Sequence, residues 1–354
     1  MTTPREAGFR MPAEWVPHQA TLMAWPTRTR EALWGPAFEE AKQDYAAIAR
    51  AVAAFEPLIM VCNPGEAGEV RDRCGAGVEA LEIPIDDSWM RDSGPIFVRD
   101  QRGQVAMVHF GFNAWGGKYR PWDRDAAAPE AIAAHLGVRR YRAPFVLEGG
   151  AFLVDGDGTL ITTEGVLLNP NRNPGLSRSQ VEAGLAEYLG VEKVIWLQAY
   201  PDRDTDGHVD GIAQYVGPGT ILLETPADPA NHNYPLAPEN LRRLGRASDA
   251  VGRPFRGDRV RAHRLERGRR DRRRGPLPEL LPGQRGRDHA DGGRAAGRGG
   301  PGSRRRGIPG PGGGLRAGSG ARVRRRRPAL HHAAGPVRGV HAVSRAPGEG
   351  GGQR

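Results

Sequence analysis

The chain has 354 residues with 51 Lys+Arg against 41 Asp+Glu, and its formal net charge of +10 taken as an average suggests a nucleic-acid partner. That average joins two unlike parts: residues 256–354 hold 26 Arg, no Lys and 7 acidic residues, which leaves residues 1–255 with 25 basic and 34 acidic residues and a charge of −9. Two cysteines, Cys62 and Cys74, argue against a disulfide framework; with no apolar leader and no 18-residue apolar run, the expectation is a cytoplasmic protein that does not enter a membrane.

In chain order, "TLMAWP" (21–26) predicts a strand and Pro36 to Phe55 a helix, with Phe38, Tyr45, Ile48, Ala49, Val52 and Phe55 near helical spacing. "PLIMVCN" (57–63) has the pattern of a buried strand closed by Asn-Pro-Gly, and a short helix runs through Val70. "VEALEIPI" (78–85) is the next strand. "GPIFVRD" and "VAMVHFGF" form a hairpin around Asp100-Gln-Arg-Gly103, followed by a helix over 125–137. Residues 152–169 carry an Asp-Gly-Asp-Gly turn between two strands, and a Ser177-x-x-Gln180 capping box starts a helix that stops at Gly190. "KVIWLQ" and "GIAQYVGPGTILLET" are strand patterns again. Two or three strands and one helix thus recur at about 60 residues, which means α/β or α+β without a GxGxxG dinucleotide loop.

The break falls near Pro254-Phe255. Beyond it Gly, Arg, Ala and Pro make up 70 of 99 residues, with no aromatic residue, so residues 256–354 are expected to lack a core and to be disordered. These four residue types are encoded whenever the first two codon bases are G or C, so a GC-rich gene read out of frame yields this composition. A disordered RNA-binding tail and a basic arm are the alternatives. Absence of repeated RGG units and of interleaved aromatics favours the frame reading, and nucleic-acid contact is expected only non-specifically through the tail.

Three polar clusters sit at predicted strand ends: "DDSWMRDSGP" with Asp86, Asp87, Arg91 and Asp92; "LEGG" with Glu148; and "DTDGHVDG" with Asp204, Asp206, His208 and Asp210. An aromatic, Gly-rich loop "HFGFNAWGGKY" (109–119) lies between them. In an extended "HVD", His208 and Asp210 share a face, placing an acid/base group beside a carboxylate. An anionic pocket edged by Trp89 and Trp115 suits a planar guanidinium, which takes bidentate carboxylates in its plane and stacks on indole. Taken singly, each cluster has a plainer reading: Asp-Gly turns, a hydrogen-bonded structural His, an Arg91 that neutralises its neighbours, or a divalent-metal site at Asp204/Asp206/His208/Asp210, for which the EF-hand spacing is missing.

Together, "EWVPHQATLMAWP", "DDSWMRDSGPIFV", "FNAWGGKY", "LEGGAFLVDGDGTLITTEGVLLNPNRNP" and "TDGHVDGIAQYV" resemble the agmatine deiminases of the bacterial peptidyl-arginine deiminase family, over residues near 11 to 254. The resemblance implies an α/β fold, the five-bladed pseudosymmetric propeller called pentein, incomplete here if the tail replaces its last part. It implies hydrolysis of agmatine to N-carbamoylputrescine and ammonia without metal or organic cofactor. Asp92 and Asp210 would grip the guanidinium, His208 would serve as general acid/base, and Glu148 would orient it, with Trp89 and Trp115 against the substrate. Peptidyl-arginine or free arginine is the alternative substrate, and a homo-oligomer stays open. The family also needs a Cys nucleophile near the C-terminus, after a Gly-rich stretch and a His. "RRRRPALHHAAGP" (324–336) falls about there, with no Cys. Cys62 and Cys74 read as structural, so the chain as written is expected to be inactive.

Overall fold

The computed structural model describes residues 2–226 and 228–255, together with strands at Val260–His263 and His341–Ser344. Three sheets repeat one pattern. In the first, β4 (Ile96–Arg99) pairs antiparallel with β5 (Val105–Gly111), which pairs parallel with β6 (Arg139–Val146) across the helix Asp123–Leu136. In the second, β7 (Phe152–Val154), β8 (Thr159–Thr163) and β9 (Lys193–Leu197) repeat it across the helix Arg178–Leu189. The third consists of β10 (Ala213–Gly217), β11 (Thr220–Glu224) and β12 (Val260–His263), across the helix Ala237–Arg246. A fourth sheet has the order β13-β1-β2-β3, with β1 at His18–Ala24, β2 at Leu58–Cys62, β3 at Val78–Glu82 and β13 at His341–Ser344. There too β1 pairs antiparallel with one neighbour and parallel with the other.

Strands β2, β7 and β8 are buried on both faces, which is why they read as unbroken apolar runs. Leu58, Met60 and Cys62 point into one core with Trp25 and Val70, while Ile59 and Val61 point into another with Phe97 and Met107. In β7 and β8 the alternation is the same: Phe152 and Leu160 join one core, Leu153 and Ile161 another.

Local chemistry sets the turns. Asp100 Oδ1 accepts the backbone N–H groups of Arg102 and Gln104 in the β4–β5 hairpin, and Asp155 Oδ1 accepts those of Asp157 and Thr159 in the β7–β8 hairpin. Ser177 and Gln180 form the capping box, and Gly190 closes that helix in a left-handed conformation.

The structure departs from the sequence reading in four places. The first long helix is Phe38–Ala53, and Phe55 lies beyond it, 91% exposed, instead of on its buried face. Strand β6 was not anticipated, because Arg139, Arg140, Arg142 and Pro144 mask the alternation of buried Tyr141, Ala143 and Phe145. The helix Ala237–Arg246 was hidden by its high charge. Finally, β12 and β13 lie inside the segment expected to be coreless, pairing through their backbones with β11 and β1. The rest of that expectation falls outside the described residues.

Candidate active site

Three short segments precede the first strands of the three repeats and meet one another. Trp89 leads into a single helical turn, Met90–Ser93, that carries Asp92 four residues before β4. Glu148 leads into the turn Gly149–Ala151 four residues before β7, and His208 into the turn Val209–Gly211 five residues before β10. The repeat therefore places one chemical group per unit at an equivalent position.

His208 is buried, with Nδ1 3.7 Å from Asp92 Oδ1 and Nε2 3.6 Å from Glu148 Oε2, just beyond hydrogen-bonding distance on both sides. Gly150 lies at the centre of the group. A Cβ there would fall 2.5 Å from His208 Nδ1, 2.7 Å from Asp92 Oδ1 and 2.8 Å from Asp210 Oδ2, so Asp210 belongs to the same constellation. The Gly150 N–H donates to Asp92 Oδ1 at 3.0 Å, and the Trp115 indole N–H donates to Asp92 Oδ2 at 3.1 Å. Arg91 donates to the Gly149 carbonyl and pairs with Glu14, joining the first two segments.

Burial acts against every charge in this group, and the partners decide the outcome. Burial pulls His208 down, but Asp92, Glu148 and Asp210 outweigh it and hold the imidazole above its usual range. Asp92 is raised by burial and then by Asp210 and Glu148, against the opposing effect of His208. Burial would also raise Glu148, yet His208 and Arg172 hold it below the usual carboxylate range. The arrangement is an imidazole flanked by a carboxylate at each ring nitrogen.

Several side chains take places that the sequence did not suggest. Asp210 reaches the site from the tight turn Val209–Gly211, with His208 at its N-terminal edge, and not from an extended strand. Gly207 has φ +93°, and a Cβ there would lie 2.5 Å from the Tyr200 carbonyl, so the entry to that turn needs glycine. Trp115 is packed edge-on by Trp89, Phe112 and Tyr119 and is 5% exposed; the role visible for it is the hydrogen bond to Asp92. Trp89 is half-buried beside it.

Asp86 and Asp87 serve the fold. Asp87 pairs with Arg30 at 2.8 Å, Asp86 accepts the Arg124 N–H, and Asp125 Oδ1 accepts the backbone N–H groups of both Asp86 and Asp87. Of the carboxylates in the metal alternative, Asp204 accepts from Tyr119, and Asp206 pairs with Arg172 and Lys118. Among the described residues no group of three His, Cys, Asp or Glu has metal-binding geometry.

Arg172 is the residue that sequence reasoning missed. Its side chain is fully buried, with Nε 2.5 Å from Glu148 Oε1 and an Nη 2.6 Å from Asp206 Oδ2. The only sequence signal was an arginine framed by asparagines in "NPNRNP". Cys62 and Cys74 are both buried in the core with Trp25 and Met60, and burial pushes their thiols up to about 12 and about 11.

The model of the Porphyromonas-type peptidyl-arginine deiminase family matches residues 10–276, past the composition break at 255. An agmatine deiminase from Pseudomonas aeruginosa (strain LESB58) is 46% identical over 260 residues, covering 71% of this chain and 70% of the relative. The solved agmatine deiminase of Enterococcus faecalis superposes with a TM-score of 0.70 at 36% identity, over 75% of this chain and 72% of that one. An agmatine deiminase of C. jejuni, solved with substrate bound and a cysteine replaced by serine, has a TM-score of 0.63 at 25% identity, over 72% and 73%.

Proposed function

From the premise that this chain belongs to the Porphyromonas-type peptidyl-arginine deiminase family, we propose that its site is that of an agmatine deiminase, a hydrolase acting on the C–N bond of a guanidinium. The observation that carries this reading is the convergence of His208, Asp92, Glu148 and Asp210 around Gly150. Asp92 and Asp210 hold the guanidinium nitrogens, and His208 Nδ1, on the Asp92 side, faces the nitrogen that leaves.

Where a thiolate is supplied, the chemistry divides into two steps. A thiolate adds to the guanidinium carbon; the C–N bond breaks as His208 gives its proton to the departing ammonia, leaving an amidino-thioether. Water, losing a proton to His208, adds to the same carbon, and the C–S bond breaks to give N-carbamoylputrescine. That product leads toward putrescine.

Agmatine is favoured over arginine because agmatine has no α-carboxylate to be met by a free cation. The cations around the site are engaged with carboxylates: Arg91 with Glu14, Arg172 with Glu148 and Asp206, Lys118 with Asp206. The thiolate is the part this chain does not offer among its described residues. Its two cysteines are in the core with raised thiols, and the chain as written binds agmatine without turning it over.

Calorimetry with agmatine and with arginine, beside an ammonia-release assay, tests the proposal. Binding of agmatine in preference to arginine, lost in Asp92→Asn, is expected. Equal affinity for arginine, or agmatine binding untouched by Asp92→Asn, would overturn it.

A further inference from the structure

We propose that Arg172 is a positioning residue for His208 and Glu148, which holds one oxygen of Glu148 so that the other faces His208 Nε2 and which anchors this pair, through Asp206, to the loop carrying Trp115. The guanidinium has no exposed side-chain surface, and every edge of it is used. Nε donates to Glu148 Oε1 at 2.5 Å; one Nη donates to Asp206 Oδ2 at 2.6 Å and to Asn171 Oδ1 at 2.8 Å; the other donates to the Thr205 carbonyl at 3.2 Å. A planar fork can meet these acceptors at once, and an ammonium cannot.

The hold on Oε1 leaves Glu148 Oε2 without a hydrogen bond, buried, 3.6 Å from His208 Nε2, which is itself unpartnered. A carboxylate in that place is costly unless cations pair with it, and Arg172 joins His208 in holding Glu148 ionised at zero exposure. An ionised Glu148 in turn favours a proton on Nε2 and reserves Nδ1, on the Asp92 side, for giving and taking the proton in catalysis.

Asp206 extends the arrangement. Its Oδ1 lies 2.7 Å from Lys118 Nζ, and Lys118 also donates to the Asp204 carbonyl, while Tyr119 donates to Asp204 Oδ1 at 2.6 Å. Lys118 and Tyr119 follow Trp115, whose indole N–H holds Asp92. The carboxylates on the two sides of the imidazole are therefore tied to each other through Arg172, Asp206 and this loop.

The test is the pH titration of the His208 ring signal by NMR in the full 354-residue chain without ligand, assigned by its loss in His208→Gln. Arg172→Met should weaken the proton affinity of His208 about tenfold. Arg172→Lys, which keeps the charge but not the fork, should weaken it by roughly two- to threefold. An unchanged titration in folded Arg172→Met overturns the proposal; if that variant does not fold, an unchanged titration in Arg172→Lys does so. Both variants should also bind agmatine less tightly. That arm rests on the functional reading above, so a wild-type chain that ignores agmatine while the titration shifts as stated counts against the function and not against Arg172.

Discussion

Gly150→Ala is the smallest change that should close the site. The added methyl would lie 2.5 Å from His208 Nδ1, 2.7 Å from Asp92 Oδ1 and 2.8 Å from Asp210 Oδ2, where ordinary contact begins near 3.4 Å. Each of the three atoms must retreat by roughly 0.6–0.9 Å, against neighbours already in contact. Forcing a methylene-sized group into a close-packed region costs about 1–3 kcal/mol, and a misfit of that size at the guanidinium position weakens agmatine binding roughly ten- to hundredfold. Urea denaturation gives the stability and calorimetry gives the Kd. The Gly150 N–H to Asp92 bond needs no side chain and should survive, so the loss would report space alone. A Gly150→Ala chain with wild-type stability and wild-type agmatine affinity would refute the placement of these residues around one small cavity.

Trp115→Phe keeps the packing with Trp89, Phe112 and Tyr119 but removes the donor to Asp92; loss of one hydrogen bond to a charged acceptor should lower stability by about 1.5–3 kcal/mol in urea denaturation. Ammonia release from agmatine by the wild-type chain should stay at background. Release abolished by Cys62→Ser or Cys74→Ser would identify a substitute nucleophile and contradict the assignment of both thiols to the core. Burial raises Asp87 to about 6 and Asp125 to about 7. Because the folded state holds these protons more tightly than the unfolded one, their contribution to stability is full below the ordinary carboxylate range near 3.8 and is lost as pH rises toward 7. Asp125→Asn keeps an acceptor for the Asp86 and Asp87 N–H groups and removes the titration. Its stability relative to wild type should therefore increase between pH 4 and pH 7, read by denaturation at each pH; a flat difference would contradict the sign.

The sequence was most legible where one physical rule acted alone. The Asp100 and Asp155 hairpins, the Ser177 capping box and the apolar strands followed from turn chemistry and burial. Strand β6 was not legible, since its exposed face is arginine and carries Pro144, so the period of two disappears into charge. For the site, "WMRD", "LEGG" and "GHVD" supplied the residues that converge, whereas the local sequence could not say which carboxylates face inward. Asp86 and Asp87 are six and five residues from Asp92, yet they face Arg124, Arg30 and the backbone. The roles of Arg172 and Asp206 depend on contacts across 24 to 88 positions, which only the packed fold supplies.

The structure of the 354-residue chain with agmatine bound tests the central claim most directly. The guanidinium should lie between Asp92 and Asp210, beside Gly150, with one of its nitrogens facing His208 Nδ1 and with Glu148 on the Nε2 side of the ring. Agmatine seated elsewhere, or seated there with its ammonium end toward Asp92 and Asp210, would contradict the account.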